Sequence, residues 1–316
     1  MSKVRAVVTS RAASSGLAIG DVDAPIPASS DAVVRVAAIG LNRGEVRGAK
    51  AAPEGSRIGW DFAGTIERAA ADGSGPSAGT RVLGILENGA WAEQVAVPTR
   101  AVAPLPDGVT FSQAATLPLA GLTAWLALEK AGGLLQRTVL VTGASDGGGY
   151  FAVQLACDGG AQVVAQVRNA DSVALVQANG AQHVVVGMDA AGAAGHGPYD
   201  LIVDSMGGTL LASLLKSLAP DGLAVAYLAS TDAMLTFDLH AFLGAGGLRL
   251  LGFSIFYELR QSAPRVGLSR LAALVAAGRL RPLIAAEANW NAIDSVSQAM
   301  LEGGPPGKTV LLVPDR

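Results

Sequence analysis

The apolar positions of this chain change rhythm once. Before Gln113 they come in short runs rich in Val and Ile: KVRAVVT (3–9), DAVVRVAAIG (31–40), TRVLGIL (80–86) and AWAEQVAV (90–97). Stretches of turn chemistry separate them: APIPASS, PEGS, ADGSGPSAG and LPDG. Short strands broken at this density by Gly and Pro predict a small β-barrel or sandwich. From Gln113 the segment QAATLPLAGLTAWLALEKAGG predicts helix, interrupted at Pro118.

Beyond it, strands and helices alternate. TVLVT (138–142) leads to a helix through FAVQLA, QVVAQV (162–167) to one through ADSVALVQANG, and DLIVDS (200–205) to one through LLASLLKSLAP. HVVVG, GLAVAYLAS and LRLLGFSI add further strands. Continuous apolar strands alternating with helices predict a parallel sheet covered on both faces, an α/β domain. LSRLAALVAAGRL predicts a further helix, and TVLLVP (309–314) a late strand that returns to the first domain.

Composition narrows the function. Half of the 316 residues are apolar, 16% are charged and the formal net charge is −3. With no block of Lys or Arg, neither nucleic acid nor a polybasic membrane contact is expected as a partner. A single cysteine, Cys157, excludes an intrachain disulfide framework and a cysteine-rich zinc lobe. It sits in a helical apolar pattern, where an inert buried thiol is expected. No run of apolar residues approaches a membrane span, and the expectation is a soluble cytoplasmic protein.

The chemistry-bearing stretch is VTGASDGGGY (141–150). A strand, a tight glycine turn and a helix present backbone N–H groups and the positive helix end to a phosphate. Gly143, Gly147 and Gly149, with the extra Gly148, hold the turn open to a diphosphate, and Ser145 stands among them; a purely structural turn is the alternative. Asp146 would repel a phosphate, so it is expected to face away and cap the helix. About twenty residues on, where an acid would bind ribose hydroxyls, stand Arg168 and Asn169, with Ser172 beyond. An arginine there pairs with a 2′-phosphate, which points to NADPH over NADH; the alternative is a solvated surface arginine.

Read in order, AIGLNRGEVRG, GWDFAGTIE, GTRVLGILENGAWAEQVAVP, LPDGVTFSQAATLPLAGLTAWLAL, VTGASDGGGYFAVQLA, YDLIVDSMGG and GKTVLLV resemble the zinc-independent medium-chain dehydrogenase/reductases, the quinone oxidoreductase and enoyl reductase group. The resemblance implies a GroES-like β-barrel catalytic domain (1–121 and 257–316) and a doubly wound Rossmann domain (122–256). The family turn is A-x-G-G-V-G. Here Asp146 replaces a glycine and Gly148 replaces the valine that packs helix on sheet, so a looser junction is expected. The zinc enzymes of the superfamily carry a cysteine ligand where this chain has GLNRGE, and a His-Glu pair where it has Trp60-Asp61, so no tetrahedral zinc site is expected. His183, His196 and His240 are scattered. The turn also fits the short-chain reductase pattern T-G-x-x-x-G-x-G, but no Tyr-x-x-x-Lys follows it.

The resemblance implies reduction of a small molecule, a quinone or an α,β-unsaturated carbonyl, by NADPH without metal. Its implied catalytic residues are Asn42, as donor or loop-fixing residue, Arg43, as oxyanion binder or solvated cation, and Trp60, as pocket wall or core aromatic. Glu45 is expected to cap a short helix. Cofactor contacts are expected from Thr123 and Trp125, from Ser205, Met206 and Gly207, from Leu228 and Ala229, and from Phe253 and Ser254 at the sheet's carboxyl edge. Tyr227 and Tyr257 are candidate proton donors or packing residues. LRLLGFSIF is the candidate interface strand of a homodimer. The competing readings are an enoyl-thioester reductase and a non-reductive protein of the same fold, a nucleotide-binding scaffold or redox-neutral cyclase.

Overall fold

A computed structural model describes residues 2–314 except Ala245. The chain divides into two compact units, Met1–Leu122 with Leu259–Arg316, and Thr123–Glu258.

The first unit is built on β-structure. Strands β1 (Lys3–Thr9) and β2 (Leu17–Asp23) form an antiparallel hairpin. The main sheet contains β3 (Asp31–Leu41), β4 (Asp61–Arg68), β5 (Arg81–Ile85), β6 (Gln94–Pro98) and β7 (Val102–Pro104). The first and second strands after unit 2, β14 (Ile284–Asn289) and β15 (Lys308–Leu312), join it. Its order is β14-β15-β3-β4-β5-β7, with β6 also on β3. The late strand TVLLVP does return, as β15, antiparallel to β3. The alanine-rich IAAEAN of β14 and the glycine-bearing LAIGDVD of β2 lack a strong apolar alternation, and neither strand was legible in the sequence. Trp91, Trp290, Phe62, Leu17, Ile39 and Ile66 are among the fully buried side chains of this core.

The second unit is a six-stranded, wholly parallel sheet. Its strands are β8 (Thr138–Thr142), β9 (Gln162–Val167), β10 (His183–Val186), β11 (Tyr199–Asp204), β12 (Leu218–Ala226) and β13 (Arg249–Gly252). Their order is β10-β9-β8-β11-β12-β13, each neighbouring pair parallel. The chain winds outward from β8 in one direction, then from β11 in the other. The order therefore reverses between β8 and β11, the point at which sheets of this kind bind ligands beyond their carboxyl ends. Two predicted strands end early: GLAVAYLAS leaves the sheet after Ala226, and LRLLGFSI turns into the helix Ile255–Gln261. Among the described residues, no helix is long and apolar enough to cross a membrane.

Candidate functional site

The glycine turn lies where β8 ends at the switch point. Gly143 has φ +60°, a left-handed conformation that a side chain disfavours. The Asp146 N–H closes the turn on Gly143 O at 3.0 Å, and the helix Gly147–Asp158 begins. A Cβ on Gly149 would lie 2.2 Å from Gly143 O, so helix and turn pack at a distance only glycine permits.

Asp146 corrects the expectation from sequence. It does hold the N-cap position, but its carboxylate makes no capping hydrogen bond. It instead lines a cleft with Gly143, Ser145, Gln166, Val167, Arg168, Met188, Met206 and Leu210. The closed turn carries the side chain back over Gly143 rather than along the helix. The expected looseness at Gly148 is also corrected: the phenol of Tyr227 fills the space beside it.

The cleft is small and open to solvent. Arg168, exposed at the end of β9, stands at it; Met188 and Leu210 give it apolar surface. Gln166, one of its lining residues, donates to Gly187 O (3.1 Å) and Asp189 O (2.8 Å), which fixes its amide orientation. Its Oε1 is buried and finds no partner within the protein. An uncapped helix start, an arginine and an orphaned acceptor fit the phosphates and ribose of a dinucleotide. The Asp146 carboxylate, in the same lining, opposes an anion.

A buried brace holds the switch point. Thr142 Oγ1 donates to Asp204 Oδ1 at 2.6 Å, and Asp204 Oδ2 accepts from Gly207 N at 2.8 Å. Burial pushes the Asp204 carboxyl up, and these hydrogen bonds work against the rise. Ser205 Oγ donates to Thr142 O, Ser230 Oγ to Ser205 O and Thr231 Oγ1 to Met206 O. The loops after β11 and β12 are thus tied together. Thr142 and Asp204 were not singled out from sequence, because each reads as an ordinary strand terminus; the signal was a polar residue ending each apolar run.

The other expected cofactor residues are dispersed. Ser145, Arg168 and Met206 meet in the cleft, while Gly147, Gly148 and Gly149 form the first turn of the adjoining helix. Asn169 is exposed and Ser172 half-buried just beyond β9, and neither lines the cleft. Ser205 and Gly207 are buried in the brace. Leu228, Ala229 and Ser254 are exposed, and Phe253 is buried. Thr123 is buried and Trp125 half-buried on the helix Pro118–Glu129. Tyr257 is exposed.

In the first unit, Asn42 joins a buried polar cluster with Glu45, Asp61 and Lys308. Lys308 Nζ donates to Asn42 Oδ1 and to Asp61 Oδ2 (3.2 Å). That contact orients the amide, whose Nδ2 donates to Glu45 Oε2 (2.8 Å) and Asp61 Oδ2 (3.0 Å). Both amide protons of Asn42 are committed inside the protein. Glu45 Oε2 also accepts from Asn42 N at the start of the helix Arg43–Ala49, as a cap does. Arg43 is exposed; Trp60 is half-buried, with a Cβ on Gly44 reaching its ring at 3.5 Å.

Burial, and then the nearby Asp61 charge, push the Glu45 carboxyl well above the ordinary glutamate range. Burial also raises Asp61, but its Lys308, Asn42 and Leu119 contacts pull it back. Lys308, in direct contact with Asp61, favours the charge there, while the Glu45 carboxyl is the one raised further. The residues do not fit a zinc ion. The carboxylate at the ligand-pair position is satisfied by Lys308, Asn42 and Leu119 N, with Trp60 beside it in sequence. Among the described residues, no group of three or more His, Cys, Asp or Glu could hold a metal.

Comparison with known proteins agrees with this architecture. Residues 28–107 match the alcohol dehydrogenase GroES-like domain and residues 160–311 the zinc-binding dehydrogenase family. The NAD(P)H oxidoreductase RTN4IP1 of Bos taurus, a mitochondrial protein, is 32% identical over 72% of this chain, and the match spans 62% of its own length. The spectinabilin polyketide synthase system protein NorB of Streptomyces orinoci is 31% identical over 89% of this chain, in 13% of its own length. A mycobacterial quinone oxidoreductase superposes with a TM-score of 0.88 at 25% identity, covering 98% of this chain and all of that one. With a GroES-like part, a Rossmann part and these relatives, the chain belongs to the medium-chain dehydrogenase/reductases, in their quinone oxidoreductase and enoyl reductase group.

Proposed function

We propose that this protein is an NADPH-dependent oxidoreductase that reduces a quinone or a carbon–carbon double bond conjugated to a carbonyl, without zinc. The observation that carries it is Arg168, at the end of β9 beside the cleft, where an NADH enzyme would place an acid. A guanidinium there recognises a 2′-phosphate by paired, charge-assisted hydrogen bonds. Uncapped N–H groups at the Gly147–Asp158 helix start would receive the diphosphate, and Met188 and Leu210 would pack on adenosine. When bound, the nicotinamide supplies the two electrons as hydride. The Asp61 carboxylate is already satisfied by Lys308, Asn42 and Leu119 N, so a substrate activated by its own conjugation fits this chain; the nicotinamide would supply the hydride and water the proton.

The Streptomyces relative favours a second reading, an enoyl-thioester reductase, since its name places it in a polyketide synthase system. A homodimer joined at β13 is the proposed assembly; among the described residues β13 has a sheet neighbour on one side only. NADPH oxidation followed against quinones, enones and enoyl thioesters separates the two substrate readings. Arg168→Ala is expected to weaken NADPH by about 10–100-fold and NADH little. Equal effects on both cofactors would remove the 2′-phosphate assignment.

A further inference from the structure

The turn after β8 carries an acid where the family pattern has a glycine, and the backbone there does not require one. Asp146 has φ −86° and ψ 162°, extended values that any residue adopts. Its main chain is fixed on both sides: its N–H donates to Gly143 O at 3.0 Å, and its carbonyl accepts from Tyr150 N at 2.7 Å. A glycine at this position therefore serves space and charge before the turn, not conformation. Here that space holds a carboxylate. Asp146 Oδ2 lies 3.7 Å from the point that a Cβ on Gly143 would occupy, and the residue is half-buried without a capping hydrogen bond.

Two opposite charges thus line one cleft. Among its described lining residues Arg168 is the one cation and Asp146 the one anion. They stand on different elements: Arg168 follows β9, and Asp146 opens the helix that follows β8. A dinucleotide brings negative charge to both places. The diphosphate is common to NADH and NADPH, while the 2′-phosphate belongs to NADPH alone. With the diphosphate at the helix start, the carboxylate works against both cofactors. With the 2′-phosphate at Arg168, the guanidinium works for one of them.

We propose that Asp146 sets how strongly this protein holds a dinucleotide, by acting on the diphosphate: it lowers the affinity for NADH and NADPH by the same factor, while Arg168 sets the choice between them. The inference rests on the reading of the cleft as a dinucleotide site. Its consequence is selection by repulsion: a nucleotide that brings a diphosphate but no 2′-phosphate meets the acid without the compensating arginine contact.

The test is calorimetric titration of the wild type, Asp146→Asn and Asp146→Gly with NADPH, NADH and adenosine 2′-monophosphate, which has no diphosphate. Thermal unfolding of each unliganded protein runs in parallel. Asp146→Asn is expected to tighten NADPH and NADH equally, by about tenfold, and to leave adenosine 2′-monophosphate within about twofold of wild type. Raising the salt from about 0.01 M to about 1 M is expected to shrink that gain, because the Debye length falls from about 30 Å to about 3 Å. Asp146→Gly is expected to show the same split, and it decides the matter if Asp146→Asn does not fold. Dinucleotide affinity that is unchanged or weaker without the carboxylate overturns the proposal, since the acid then faces away or accepts a ligand hydroxyl. So does an equal gain for the monophosphate, which places the effect on Arg168, and so does a gain confined to NADPH. If neither wild type nor variants bind NADPH or NADH, the dinucleotide reading falls and this inference with it. If the wild type binds them and the variants gain nothing, this inference alone falls.

Discussion

Glu45 is a carboxyl group held out of water beside a second acid, Asp61. Its folded form keeps a proton that the unfolded chain releases above about pH 4.3. Where the native state binds more protons than the unfolded state, stability falls as pH rises. Glu45 thus contributes most below the ordinary glutamate range, and its contribution is lost as pH climbs through its raised folded value. Glu45→Gln removes that titration and keeps an acceptor for Asn42. Thermal unfolding from pH 4 to 8 is expected to show wild type losing stability relative to the variant across this range; parallel curves would mean that Glu45 ionises normally. Cys157, also singled out from sequence, is half-buried rather than buried, and desolvation raises its thiol to about 11, in keeping with an inert role.

At the scale of elements, the junction of β8, the glycine turn and the helix Gly147–Asp158 depends on atoms that a side chain would displace. Gly149→Ala puts a carbon 2.2 Å from Gly143 O and 3.0 Å from Ala144 Cα, against the backbone of the turn. Neither partner can yield without moving the helix off the sheet. The expected cost is about 2–4 kcal/mol in unfolding free energy, together with lost affinity for adenosine 2′,5′-bisphosphate. Denaturant unfolding and titration check the two separately. A variant with wild-type stability would show that the helix has freedom the geometry denies it.

At the scale of the molecule, the first unit is made of two chain segments, before Thr123 and after Glu258. Lys308, at the start of β15, joins them electrically: its side chain is 6% exposed and meets Asp61, which is wholly buried. Removing one member of a buried ion pair strands the other's charge. Lys308→Met is expected to cost about 3–5 kcal/mol, and the double variant Asp61→Asn/Lys308→Met to recover part of it. Additive losses in equilibrium unfolding would mean that the pair is not coupled.

The alternation of β8 to β13 with helices and the glycine turn were legible in the sequence, because each is written in a local pattern. Periodicity records which face of an element is buried, and a run of glycines records where backbone must come close. The strands β2 and β14 were not legible, since their residues carry little alternation and take their place from their neighbours. Which polar residues meet was also unreadable: Asn42, Glu45, Asp61 and Lys308 come from three parts of the chain. The direction of Asp146 was set by the closing of one turn, and the filling of the space at Gly148 by a tyrosine from another strand. The sequence by itself determined the elements and the chemistry available to the site. Only the tertiary structure decided which groups are kept from water and which neighbours they find, because burial and long-range contact are properties of the assembled chain.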